Sequence, residues 1–308
     1  MINFLAPQLL LLYALAGSAI YVHFRGRERL VLRRQLVDHS TFLAPYNVLL
    51  YMFSGVPNKP VLPVETFPEL KTISDNWQTI REEAVRLFDE GRIRSATANN
   101  DWGFYSFFKS GWKRFYLKWY DDVLPSAQTL CPKTVELVQS IPSIKGAMFT
   151  VLPAGARLGG HRDPFAGSLR YHLGLVTPNS DECLIYVDGE PYSWRDGDDI
   201  VFDETYVHWA ENKTDQTRVI LFCDVERPLK TSAMRAINRF MSRVLGQATA
   251  TQNVETERVG AVNRLYGFAH RVGERKKAFK RRHPRTYRYG RYALILLVAA
   301  WLVLPWIA

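Results

Sequence analysis

His161, Arg162 and Asp163 directly follow a Gly159-Gly160 pair. One residue between an imidazole and a carboxylate puts both on the same face of an extended segment, where they can grip one divalent metal ion. A third ligand has to come from a distant part of the chain. His208, on a strand-like stretch after Phe202-Asp203, is the natural candidate. Two histidines and one carboxylate make the facial set of non-haem Fe(II) sites, which leaves the opposite side of the metal open. A hydrolytic zinc site can use the same donors. An exposed polar turn after the glycines would need no metal at all.

Arg170 and His172 are spaced by two and share one face of the stretch 169–176, with Tyr171, Leu173 and Leu175 on the other. Arg218 opens a further strand, ten residues after His208. A buried guanidinium needs anionic company, and its planar fork matches a carboxylate. One metal clamp with two inward arginines suits a dicarboxylate such as 2-oxoglutarate, keto acid on the metal and far carboxylate on an arginine. Salt bridges with Asp203, Glu204 or Asp224 are the competing use of Arg170 and Arg218.

These side chains need a scaffold. Short apolar or alternating runs at 147–152, 169–176, 184–187, 192–194, 200–202 and 218–225 are separated by Gly, Pro, Asn and Asp turn-formers. Such spacing predicts an antiparallel jelly roll, a mainly β core. Residues 75–90 have helical spacing, with Trp77, Ile80, Ala84, Leu87 and Phe88 on one side. Residues 134–141 read as a second short helix. After Pro228 the chain turns helical again, with Met234, Ile237, Met241, Val244 and Leu245 at helical spacing.

The chain has 308 residues, 47% hydrophobic, and three cysteines, too few for a disulfide framework or a paired-cysteine zinc site. Its net charge of +10 is uneven. Ten Lys/Arg against one Glu lie in 271–291, and five Arg against one Glu in 25–34. Both basic segments border apolar runs, at 4–22 and 292–308, which argues against nucleic acid and for a membrane. As helices the runs would be roughly 28 and 26 Å long. The positive-inside rule then places everything between them in the cytoplasm. Residues 41–56, broken by Pro45, Asn47 and Gly55, read as an interfacial segment, and 57–68, with four prolines, as a linker. The expected organisation is an N-terminal transmembrane anchor (1–24), a basic flank and interfacial segment (25–64), a jelly-roll domain with N-terminal helices (65–228), a basic helical region (229–291) and a C-terminal transmembrane helix (292–308).

From about residue 148 to 228 the chain resembles the aspartyl/asparaginyl β-hydroxylase family of Fe(II)/2-oxoglutarate oxygenases. The resemblance rests on several motifs in fixed order: His161-Arg-Asp163, Leu169-Arg170-Tyr-His172-Leu-Gly174-Leu, Trp194-Arg-Asp-Gly197, Phe202-Asp203, His208, Arg218 and Asp224-Val-Glu-Arg-Pro228. It implies a double-stranded β-helix, with His161 and His208 as iron ligands and Asp163 completing a triad that some animal members lack. It further implies Arg218 with the Thr150 hydroxyl at the far carboxylate of 2-oxoglutarate, and Arg170 with His172 near its chelating end.

The whole chain is similar to a narrower group, the bacterial lipid A acyl-chain 2-hydroxylases, which pair this domain with apolar segments at both ends. That likeness implies hydroxylation at C2 of a lipid A acyl chain, using Fe(II), 2-oxoglutarate and O₂, at the cytoplasmic face of the bacterial inner membrane. Lipid A or a related acylated lipid and membrane phospholipid would be the partners. Trp102, Phe104, Tyr105, Phe107, Phe108 and Trp112 are candidates to line an acyl channel, with ordinary core packing as the alternative. The rival functions are hydroxylation of Asp or Asn side chains in a protein, and a non-catalytic membrane-anchored lipid-binding jelly roll.

Overall fold

The computed structural model describes residues 7–94, 101, 103–120 and 122–289. Eleven strands form among them: β1 (Val61–Leu62), β2 (Lys113–Trp119), β3 (Asp122–Val123), β4 (Ile144–Leu152), β5 (Arg157–His161), β6 (Ser168–Val176), β7 (Cys183–Val187), β8 (Glu190–Ser193), β9 (Asp199–Phe202), β10 (His208–Asn212) and β11 (Arg218–Glu226). They pair antiparallel in two sheets, ordered β1-β9-β6-β11-β4-β2-β3 and β5-β10-β7-β8. Strands β4 to β11 thus have the strand order of a double-stranded β-helix, as expected from the turn spacing. β2 extends the larger sheet beside β4. No strand is expected there from the sequence, because the run of aromatics around it has no alternation.

The larger sheet is buried on both sides, which is why β4, β6 and β11 are almost wholly buried. Their inner side chains face the smaller sheet. On the outer side lies the helix Trp77–Asp89, whose Ile80, Ala84 and Leu87 are fully buried and which packs against β6. The helix Pro132–Ser140 adds Val135 and Val138 to the same core. The helix Ala44–Met52 buries Ala44, Asn47, Leu50 and Tyr51, and Asn47 bonds the main chain at Pro164 and Ala166.

The helix expected after Pro228 is present as Ser232–Thr249, but its buried face is Met234, Asn238, Ser242 and Gly246. Asn238 donates to the Gly167 carbonyl and Gly246 backs onto the Tyr120 ring, so polar and small residues face inward. Ile237, Phe240 and Val244 are left exposed.

The transmembrane helix expected at each end, and with it the inner-membrane location and cytoplasmic orientation, is corrected here. No helix among the described residues is long and apolar enough to cross a membrane. The N-terminal helix, Pro7–Phe24, has 18 residues and includes Gln8, Ser18 and His23. Its last turn is spent on protein: Val22 is buried with Ala44, Leu50 and Tyr51. The following Arg25 is 7% exposed, bound inside the domain instead of flanking a bilayer. The run at 292–308 lies outside the described residues.

Candidate metal and co-substrate site

β5 ends at His161 and β10 begins at His208, and the ladder sets these two residues opposite each other. Their ring centroids are 4.2 Å apart. Asp163 lies just beyond β5, its amide donating to the Glu204 carbonyl at 2.9 Å. One donor atom from each of His161, Asp163 and His208 falls within 4.8 Å of the others. This spacing suits a single ion.

The donors are also oriented for it. Nδ1 of His161 lies 2.8 Å from the Gly159 carbonyl, and Nδ1 of His208 lies 3.0 Å from that of Tyr206. A carbonyl only accepts, so each Nδ1 carries the proton and each Nε2 keeps its lone pair. Second-sphere bonds of this kind fix tautomer and ring orientation in metal sites. Burial pushes both imidazoles toward the neutral form, His208 down to about 3. Burial, the largest single effect, would raise the Asp163 carboxyl, but the Arg170 guanidinium together with His208 and His161 holds the group below its ordinary range. Asp163 Oδ2 accepts from Arg170 at 2.7 Å, while Oδ1 stands 3.8 Å from His161 Nε2.

Arg170 and His172 point inward from β6, as their spacing requires. Arg170 is ringed by carboxylates: Asp163, Glu204 and, at 3.0 Å, Asp224. Three acids around one cation cannot all ionise cheaply, and burial with the other two carboxylates drives Glu204 well above the ordinary range. In this structure Arg170 is therefore committed to acids of the chain, among them Asp163 of the candidate ligand set.

Arg218, at the start of β11, is 2% exposed, and no carboxylate pairs with it among the described residues. Its guanidinium lies over the Trp194 ring at 4.2 Å. Burial without a counter-charge pulls its pKa down to about 10. The pocket it lines is shared with the two histidines and Asp163. Four further polar atoms there are buried without a hydrogen-bond partner: Thr150 Oγ1, both His172 ring nitrogens and Trp194 Nε1. An unpaired buried donor is costly, so such a cluster fits a polar ligand. In the sequence only its place in the Trp-Arg-Asp-Gly motif signals Trp194 as a contact.

Phe107 packs edge-on against His161, centroids 4.8 Å apart, and meets Trp112 edge-to-face at the pocket wall. Phe104, Phe107 and Phe108 also pack on the main core, and Tyr105 meets Tyr266 and His270. Trp102 lies outside the described residues. A second cleft of about 380 Å³ opens onto His161 and Asp163 between Phe104, Phe107, Val37, Arg34 and Pro164.

The family model described as aspartyl/asparaginyl beta-hydroxylase matches residues 74–228. The chain belongs to this family. Among its relatives is the ornithine lipid ester-linked acyl 2-hydroxylase of Rhizobium tropici, 34% identical over 191 residues, covering 59% of this chain and 65% of that one. The human aspartyl/asparaginyl beta-hydroxylase is 26% identical over 208 residues, covering 63% of this chain and 26% of that one. The chain thus spans less than two thirds of the length of these relatives. A prolyl-4-hydroxylase structure from Pseudomonas putida aligns at a TM-score of 0.34 and 17% identity, over 50% of this chain and 87% of that one. The family match contains all seven site residues expected from the sequence: Thr150, His161, Asp163, Arg170, His172, His208 and Arg218.

Proposed function

We propose that the protein is an Fe(II)- and 2-oxoglutarate-dependent dioxygenase that hydroxylates an acyl chain of a lipid. The observation that carries this reading is Arg218: a buried cation with no acid paired to it among the described residues, in one pocket with a His161–Asp163–His208 donor set. The site residues fit both groups. Two neutral imidazoles and a carboxylate are the donors that Fe(II) takes in facial sites. Arg218 with the unpartnered Thr150 hydroxyl fits the far carboxylate of 2-oxoglutarate. His172 and Trp194 offer the remaining buried polar atoms to the rest of that molecule. Iron with 2-oxoglutarate and O₂ supplies the oxidising chemistry that replaces a C–H bond by C–OH. The chain's own part is to hold the co-substrate, aim the target carbon and keep the pocket dry.

The lipid substrate is supported by the 34% identical acyl 2-hydroxylase and by the cleft beside His161. Val37 and Phe104 there can cover an acyl chain, and Arg34 can meet an anionic headgroup. Val31, Leu36, Val37 and Phe42 near that mouth are all exposed, which suits a substrate presented in a lipid phase. Lipid A is the substrate we favour, with C2 of an ester-linked chain as the oxidised carbon; phospholipid is the accompanying surface.

The test is mass spectrometry of lipid extracts and tryptic peptides from cells expressing the chain or its His161→Ala variant. Lipid A heavier by one oxygen, with the oxygen on an acyl fragment, is expected with the parent only. A hydroxylated Asp or Asn side chain with unchanged lipid would transfer the activity to a protein substrate. Unchanged lipid and peptides, with no succinate formed from 2-oxoglutarate, would leave a non-catalytic lipid-binding jelly roll.

A further inference from the structure

The chain between Val22 and Glu28, outside the matched family region, touches both segments that carry the metal donors. Arg162, between His161 and Asp163, is 4% exposed. It donates to four main-chain carbonyls of this segment: Val22, His23, Arg25 and Glu28. No acid pairs with it among the described residues, so those carbonyls are its whole support.

The same segment reaches toward His208. Arg25 pairs with Asp203 at 2.6 Å and donates to the Thr205 hydroxyl, which also accepts from Tyr51 and donates to Asp203. Its guanidinium is sandwiched between the Tyr51 and Tyr206 rings, at 3.9 and 3.8 Å. Tyr206 supplies the carbonyl that holds His208 Nδ1. The Arg27 and Glu28 amides donate to Asp188, whose own amide donates to the Val207 carbonyl. Gly26, with φ of 90°, allows this approach: a Cβ there would lie 2.5 Å from Asp188 Oδ1 and 2.9 Å from Tyr206.

We propose that residues 22–28 form a clasp that sets the distance between His161–Asp163 and His208, with Arg25 and Arg162 as its positioning residues. This rests on the metal reading of the site. It makes the end of the N-terminal helix part of the second sphere of the metal: displacing the helix withdraws the carbonyls that Arg162 needs. Asp203 keeps its partner Arg227, at 2.8 Å, when Arg25 is changed, so the loop retains one ion pair.

The experiment measures Co(II) binding to the full chain by the intensity and position of its visible d–d bands, without co-substrate. The variants are Arg25→Met, Arg25→Lys and Arg162→Lys, with His161→Ala as the control. Loss of a second-sphere partner costs about 10- to 100-fold in metal affinity. Arg25→Met and Arg162→Lys are expected to weaken Co(II) by about that factor and to shift the bands, and Arg25→Lys, which keeps the cation beside Asp203, to recover part of both. Variants that melt earlier but keep parental Co(II) affinity and bands overturn the clasp and leave these arginines merely structural. A parent that binds Co(II) no better than His161→Ala overturns the metal reading itself, which is a different failure.

Discussion

His161 and His208 stand opposite each other across the β5–β10 ladder, and each gives its Nδ1 proton to a carbonyl two residues before it, Gly159 and Tyr206. The two imidazoles therefore present Nε2 toward the same space, beside Asp163 Oδ1. Backbone carbonyls thereby set the tautomer of both rings. Its consequences can be measured.

His161→Ala and His208→Ala each remove one of three donors. Fe(II) or Co(II) affinity should fall at least ~100-fold by analogy with lost metal contacts, and hydroxylation should vanish. Isothermal titration of the metal and product mass check this. Retained turnover in both variants would sink the ligand assignment.

Arg218→Met should raise the KM for 2-oxoglutarate by roughly 10- to 100-fold, since hydrogen bonds to charged groups contribute about 1.5–3 kcal/mol. Arg218→Lys should recover little of this, because an ammonium cannot reproduce the planar fork over Trp194. Succinate assays across co-substrate concentration separate KM from kcat. An unchanged KM would move the far carboxylate elsewhere.

Acid should unfold the metal-free protein through its histidines. Burial holds His172 well below its ordinary pKa, and its neighbours Arg170 and Arg218 add to the effect. The folded state thus refuses a proton that the unfolded chain accepts near pH 6.5. Stability is undiminished above that value and falls as pH drops below it, by up to ~1.4 kcal/mol per unit for this group. Glu204, whose carboxyl burial pushes up, acts in the opposite direction, so the reading is the difference between parent and His172→Gln. Urea midpoints at neutral and mildly acid pH should fall less steeply in the variant; a steeper fall contradicts the assignment.

Gly174→Ala should be among the most damaging single changes in the sheet. A Cβ at this position would lie 1.9 Å from the Arg195 carbonyl oxygen, which is backbone and cannot step aside. Gly174 also exchanges main-chain bonds with Asp198 and Gly197, at 2.9 Å each, so the loop after β8 is fastened there. The expected loss is at least ~3 kcal/mol, at the upper end for overpacking. Thermal melting of the variant checks it, and a midpoint near the parent's would mean the loop can move.

Much of this was legible in the residues themselves. The strands of the jelly roll announce themselves through short apolar runs and the Gly, Pro, Asn and Asp between them. His161-x-Asp163 and the Arg170-x-His172 pair follow from a period of two, which depends only on neighbours along the chain. The apolar run ending at Val22 reads as a transmembrane anchor because hydropathy counts side chains without knowing what they touch.

Tertiary structure decided which charges are spent and which are free. Arg170 and Arg218 look alike in the sequence, yet one is ringed by Asp163, Glu204 and Asp224 and the other has no acid beside it among the described residues. Arg25 reads as one more arginine in a basic flank, and only the folded chain brings it to Asp203, separated by 178 positions. The face that the helix Ser232–Thr249 buries was likewise set by Gly167 and Tyr120, not by its own apolar spacing. Periodicity is a property of adjacent residues, whereas the partner of a buried charge is fixed by distances between segments that meet only once the sheets have closed.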